Sequence, residues 1–306
     1  MWERYRAKWL RVKKYMRNFR ACYYYLNKSV RSPDMRHALY LLVRSFAAKT
    51  AAPAPAPADL ERLKRDGIIV FDALLDASTV SKISNYLQTK PVYNWIDADF
   101  KGGARTPLKL EDVKITKQTK LKYFDKDIAE CREIVELGNS EKIISLVSAY
   151  LGCKPTITSM AAWWTKAGGN APDKFYDDMF HRDADDYKFI KLFVYLNDVQ
   201  AENGAHCFVK GSHLSKKCTE RRTFSDEEIA ANFAPSDRLV LTGNGGSAFL
   251  EDTWGLHRSS PCTSGERLMV QFLYSLTALN AEATPKPVAK NVYGVDAYTN
   301  RVFLTS

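Results

Sequence analysis

The 306-residue chain contains no run of about 18 apolar residues, so it offers no helix able to cross a bilayer. The signature of a secretory signal is also missing. Charge begins at Glu3 and Arg4, and no apolar stretch with a small-residue cleavage site follows. The expected location is therefore cytoplasmic. Six cysteines (Cys22, Cys131, Cys153, Cys207, Cys218 and Cys262) are scattered without paired spacing, which indicates neither a disulfide framework nor a zinc finger and leaves reduced thiols as the expectation. No internal repeat is found. Acidic residues are scarce at the start: residues 1–46 hold twelve basic side chains against Glu3 and Asp34, a net +10 that equals the charge of the whole chain. The remaining 260 residues balance to zero, so an anionic partner would meet the arm and not the body.

The arm carries an apolar stripe at spacings of three and four: Trp2, Tyr5, Trp9, Val12, Met16, Phe19, Tyr23, Leu26 and Val30. That is one face of a helix, with Arg and Lys on most of the other. Three readings stand. A basic helix with an aromatic seam suits an anionic membrane surface, which would hold residues 1–31 peripherally at the inner face of a membrane. The stripe equally fits a coiled-coil seam, or a helix docked on the body. Nucleic acid is disfavoured, because no recognition motif accompanies the charge.

Pro53, Pro55 and Pro57 make an extended spacer of the Ala- and Pro-rich stretch that follows. The expected organisation is an arm over 1–46, a linker over 47–59 and a single domain over 60–306. Asp59 is placed to cap a short helix ending at Gly67, and Ile68–Phe71 reads as a strand. Asp76 caps a second helix, with Val80, Ile83 and Leu87 on one face, which Pro91 stops. Two more helices are predicted, one from Ile128 to Leu137 and one from Glu141 to Leu151. From Pro155 onward the pattern turns to strands over 155–166, 188–197, 205–210, 238–242, 246–251 and 267–277. The fold class predicted is mainly β with α: a double-stranded β-helix (jelly roll), with helices packed outside one sheet.

His181 and Asp183, two apart in an extended stretch, point to the same side and can share one ion. His257 is far away in sequence, and only a fold brings it near. Two imidazoles and one carboxylate on one face of an octahedral ion form the set used by non-haem iron oxygenases, whereas zinc prefers a tetrahedral site. Arg267 opens the apolar strand Leu268–Leu273, and a buried guanidinium needs a partner. A substrate carboxylate and a distant Asp or Glu are both candidates.

Taken together, several stretches resemble the phytanoyl-CoA dioxygenase family over nearly all of residues 60–306. They are Leu63 to Phe71 with its Asp66-Gly67; Phe180-His181-Arg182-Asp183 with Val194 to Asp198 and Glu202-Asn203-Gly204; Lys210-Gly211-Ser212-His213, with Lys where the family has Pro; and Gly246 to His257 with Gly265-Glu266-Arg267. The resemblance implies Fe(II) held by His181, Asp183 and His257, with 2-oxoglutarate and O2 as cosubstrates. It also implies that Arg267 grips the far carboxylate of 2-oxoglutarate and that Phe193 lines its pocket. The implied reaction is hydroxylation of an unactivated carbon in a small-molecule, lipid or glycan substrate, releasing succinate and CO2. The alternative is a non-catalytic binding module on the same scaffold. Asp183 stands where related halogenases carry a small residue. His206 and His213 are expected to be structural. The segments Val92–Lys126 and Lys216–Asp237 and the tail after Asn280 are expected to select the substrate.

Overall fold

The computed structural model describes residues 19–100, 102–168, 178–279 and 288–305. Lys101 and the stripe from Trp2 to Met16 lie outside the described residues. Each of the six expected β segments forms a strand, and they assemble into two facing sheets. The larger is built from β1 (Ile68–Phe71), β2 (Val92–Asn94), β3 (Thr119–Tyr123), β4 (Thr156–Lys166), β5 (Phe189–Tyr195), β8 (Ala248–Glu251) and β10 (Glu266–Ser275). Its order is β1-β8-β5-β10-β4-β3-β2, antiparallel throughout. The smaller sheet has the order β7-β6-β9, from β6 (His206–Val209), β7 (Arg238–Leu241) and β9 (His257–Ser259). Two antiparallel sheets enclosing a core in this way form the jelly roll.

Alternation along the strands gives the larger sheet two different faces. Leu192, Val194, Leu250, Val270 and Phe272 point outward and pack under helices that contribute Ile83, Ile134, Ile143, Leu146 and Leu151. Each such fully buried aliphatic side chain contributes about 1.5–3 kcal/mol. The other face carries Ala161, Trp163, Phe193, Phe249 and Met269 toward Phe208 and Leu241 of the smaller sheet. The functional groups sit on this inner face.

The helices follow their caps. Asp76 accepts from Thr79 N at 2.7 Å and starts the helix Ala77–Gln88. Pro57 takes the first position of Pro57–Asp66, so that helix starts before Asp59, with no side-chain cap at Ala56. The helix expected over Ile128–Leu137 is two pieces, Asp125–Ala129 and Arg132–Gly138, separated where Cys131 turns extended. Ile128, Ala129, Ile134, Val135 and Leu137 are all buried, and one straight helix would spread them around its circumference.

The described part of the arm docks on the body. Phe19–Ser29 and Pro33–Ser45 are helices. Tyr23 donates to Asp186 Oδ1 at 2.6 Å, Asn27 Nδ2 to the Ala184 carbonyl at 2.7 Å and Tyr40 to the Leu151 carbonyl at 3.1 Å. Tyr23 and Val30 pack on the core, so this stretch takes the docked reading of the stripe. Arg36 is 2% exposed and spends its nitrogens on the carbonyls of Asn27, Val30 and Asp186. No helix among the described residues is long and apolar enough to cross a membrane.

Two of the motif stretches meet in space. The Gly211 amide donates to the Asp66 carbonyl at 2.8 Å, and His213 Nε2 lies 3.0 Å from the Lys64 carbonyl. Gly67 has φ +78°, and a Cβ there would stand 2.5 Å from His213 Nδ1, so only glycine fits. Ser212 is wholly buried, donates to the Val209 carbonyl at 2.6 Å and accepts from Leu256 N at 2.7 Å, fixing the chain just before His257. Ser212→Ala leaves the Leu256 amide buried without a partner. It is expected to lower the unfolding free energy by about 1–3 kcal/mol in urea titrations; an unchanged midpoint and slope would show that Ser212 does not hold this segment.

Candidate metal centre

His181 and His257 exchange both backbone hydrogen bonds as an isolated antiparallel bridge, His181 N to His257 O at 3.0 Å and His257 N to His181 O at 3.1 Å. Asp183 N then donates to the Thr253 carbonyl at 2.9 Å. These bonds bring a loop before β5 against the start of β9. The imidazole centroids stand 4.3 Å apart, His257 Nε2 lies 3.3 Å from Asp183 Oδ2, and His181 Nε2 lies 3.8 Å from Asp183 Oδ1. One ligating atom from each of the three residues falls within 4.8 Å of the others.

The hydrogen bonds on the far side of each ring decide what the group can do. His181 Nδ1 sits 2.9 Å from the Met179 carbonyl, and His257 Nδ1 sits 3.0 Å from the Gly255 carbonyl. A carbonyl only accepts, so each Nδ1 carries a proton and each Nε2 is turned toward Asp183. Without a metal, Asp183 overcomes burial and raises the His257 imidazole, and a metal bound there would take the place of the Nε2 proton. Two such nitrogens and a carboxylate are the donor set a ferrous ion takes, and the backbone carbonyls set the ring orientation. The residues present fit the metal that the sequence pattern implies.

A cavity of about 350 Å³ opens on this group. Phe193, Trp163, Met269 and Trp95 form its apolar wall, with Lys122 and Gln271 as polar groups. The Trp95 and Trp163 rings stand 5.4 Å apart. Arg267 is 0% exposed and does not line the cavity itself. Its Nη1 donates to the Gly204 carbonyl and its Nη2 to Thr165 Oγ1 at 3.3 Å and Ser259 Oγ at 3.1 Å, while Nε has no partner. No carboxylate among the described residues forms an ion pair with it. Ser259, two residues beyond His257 on β9, stands between this guanidinium and the cavity.

The phytanoyl-CoA dioxygenase (PhyH) family pattern matches residues 63–269. The chain belongs to the phytanoyl-CoA dioxygenase family. It is accordingly a non-haem iron, 2-oxoglutarate-dependent enzyme, with iron and 2-oxoglutarate as the groups its site is built to take. Among solved structures it is similar to EctD from S. alaskensis, with bound 2-oxoglutarate and 5-hydroxyectoine, at 17% identity over 85% of this chain and 88% of that one, TM-score 0.51. It is also similar to AviO1 from Streptomyces viridochromogenes Tue57, at 18% identity over 76% and 100% of the two chains, TM-score 0.46. A third is HygX from Streptomyces hygroscopicus, with nickel, 2-oxoglutarate and hygromycin B, at 17% identity over 72% and 86%, TM-score 0.47. No curated protein sequence matches the chain.

Titratable groups surround His181, Asp183 and His257, and of these groups the sequence had marked out only His206. Lys191 Nζ lies 2.6 Å from Asp183 Oδ2 and 2.9 Å from Asp185 Oδ2. Burial alone would raise the Asp183 carboxyl, but Lys191 and the two imidazoles hold it well below the usual carboxylate range. Lys191 follows from β5 alternation, two residues before Phe193, yet its partner is set by the fold. His206, on β6, reaches Glu251 Oε1 at 2.7 Å and stacks on Phe249 with centroids 4.9 Å apart. Burial, reinforced by the nearby His257 and Arg267, keeps the His206 imidazole neutral. Burial pushes Glu251 up to about 8, so the pair is neutral around pH 7.

The sign of the pH effect follows. Glu251 titrates near 4.5 when unfolded and near 8 when folded, so its contribution is fully present below the lower value and lost as pH rises through the higher. Between about pH 5 and 9, the metal-free wild type is expected to lose roughly 2–4 kcal/mol relative to Glu251→Gln. Urea unfolding at each pH checks this. A difference between the two proteins that stays constant with pH would rule it out.

Proposed function

We propose that the chain hydroxylates an unactivated carbon of a small-molecule, lipid or glycan substrate, using His181 Nε2, His257 Nε2 and the Asp183 carboxylate to hold Fe(II). The observation that carries this reading is the convergence of three ligating atoms within 4.8 Å, with both Nδ1 atoms committed to backbone carbonyls. Bound there, the ferrous ion supplies activation of O2 coupled to conversion of 2-oxoglutarate to succinate and CO2. The rest is the work of the protein.

Arg267 is the group for the far carboxylate of 2-oxoglutarate. Its unpaired Nε and its contacts to the hydroxyls of Thr165 and Ser259 leave donor capacity that a carboxylate takes better than neutral oxygens do. Phe193, packed against Phe249 with centroids 5.1 Å apart, walls this end of the cavity and keeps water from it. Trp95 and Trp163 offer flat apolar surfaces on which a substrate rests while one C–H bond faces the metal. Lys191 holds one oxygen of Asp183 and leaves the other toward His181, so the carboxylate enters the metal site already oriented.

Adding Fe(II) and 2-oxoglutarate without oxygen is expected to give a weak visible metal-to-ligand charge-transfer band. His181→Ala should abolish it. In Arg267→Lys, which keeps the charge but not the fork, the half-saturating 2-oxoglutarate concentration should rise roughly 10–100-fold, the equivalent of one lost charge-assisted contact. A folded wild type that shows no band, or a His181→Ala protein that keeps it, would point to the non-catalytic module.

A further inference from the structure

A second cavity, of about 260 Å³, lies between the arm helix Pro33–Ser45 and the turn at Trp254. Three of the residues that line it carry donors without a partner among the described residues. Trp254 Nε1, Tyr187 Oη and Arg36 Nε are all buried without a hydrogen-bond partner, and Tyr187 and Trp254 are each only 6% exposed. The Arg36 guanidinium lies flat on Trp254, 4.0 Å from the ring centroid, with its other nitrogens fixed by backbone carbonyls. Lys188 also lines the cavity, with Nζ 4.0 Å from the Tyr150 ring centroid and 4.9 Å from that of Tyr40. Two aromatic faces flank this ammonium, and no carboxylate among the described residues forms an ion pair with it.

The acids on the same wall are already engaged. Asp252 accepts from Tyr150 Oη at 2.6 Å and from Trp254 N at 3.0 Å, and Asp34 pairs with Lys216 at 2.6 Å on the exposed rim. An unmet buried donor costs about 1–3 kcal/mol, and this cavity gathers three beside an ammonium that faces rings instead of an acid. An acceptor bearing negative charge would meet these donors. Burial pushes Lys188 down to about 8 against the pull of Asp252, whose carboxylate is already engaged by Tyr150 and the Trp254 amide.

We propose that this cavity is a second binding site, separate from the metal centre, for a small oxyanion: a carboxylate- or phosphate-bearing metabolite held by Lys188, Tyr187, Trp254 and Arg36. Such a ligand would tie the arm to the body, because Arg36 and Tyr40 belong to the arm and the other groups to the domain. It would also press on the turn whose Thr253 carbonyl fixes Asp183 N and whose Gly255 carbonyl orients His257. The occupancy of this site would therefore bear on the geometry of the metal ligands.

The test is calorimetric titration of the full chain with inorganic phosphate and, separately, with malonate, at ionic strength matched with chloride. Saturable binding of one oxyanion per chain is expected, and the oxyanion that binds tells a phosphate ligand from a carboxylate one. Lys188→Met should weaken it by about 10-fold or more. Tyr187→Phe, which removes only a hydroxyl and keeps the packing, should weaken it several-fold and carries the test if Lys188→Met fails to fold. His181→Ala should bind as wild type does, whether or not the metal reading holds. The proposal is overturned if neither oxyanion saturates, if both cavity variants bind unchanged, or if binding is lost in His181→Ala alone.

Discussion

The site depends on one local exchange: the two backbone hydrogen bonds between His181 and His257. Neither residue belongs to a long shared ladder, and the segments that carry them are far apart along the chain. Held at this distance, their rings face each other and Asp183 completes the group from the same loop. Each imidazole is then turned by a carbonyl two residues before it in sequence, Met179 for His181 and Gly255 for His257. The same device on both sides makes the two nitrogens equivalent donors. Ser212 and the Asp66–Gly67 turn support the exchange from behind, linking the first strand, the Gly-Ser-His turn and the approach to His257 into one hydrogen-bonded unit.

Interior cations are handled in a consistent way. Among the described residues, Arg267, Arg36 and Arg182 hydrogen-bond to backbone carbonyls and hydroxyls and form no ion pair with a carboxylate, whereas Lys191 and Lys120 are paired with acids. Neutral acceptors satisfy geometry and leave donor capacity that an anionic ligand could use, although Asp252 acts on both Arg36 and Arg182 from nearby. Near β9 that property belongs to Arg267, beside the metal group. Near the arm it belongs to Arg36 and Lys188, around the second cavity. The zero net charge of the body conceals this arrangement, because opposite charges are counted together wherever they lie.

The arm shows how composition misleads about placement. Its basic excess suggested a solvated cationic face. Arg36 is instead an interior residue that closes the loop between two helices and stacks on Trp254. Tyr23 and Asn27 reach the loop that follows Asp183, so the arm touches the body close to the candidate ligands.

Much was legible in the chain itself, for physical reasons that act locally. Strand boundaries, the cap at Asp76 and the two-faced alternation of β5 and β10 follow from backbone preferences and from which side chains must leave water. The convergence of His181, Asp183 and His257 as a candidate ligand set was legible because metal chemistry limits the residue types and because the surrounding motifs keep a fixed order. The short strands β2, β3 and β9 were not legible, since three to five residues carry too little pattern to stand out from a loop. Partnership was equally hidden. That Lys191 meets Asp183, that His206 meets Glu251, that Ser259 shields Arg267 and that Lys188 lies over the rings of Tyr150 and Tyr40 are decided by which strands and helices become neighbours. A sequence states what each side chain is able to do, while the closing of two sheets against each other states what it finds within reach.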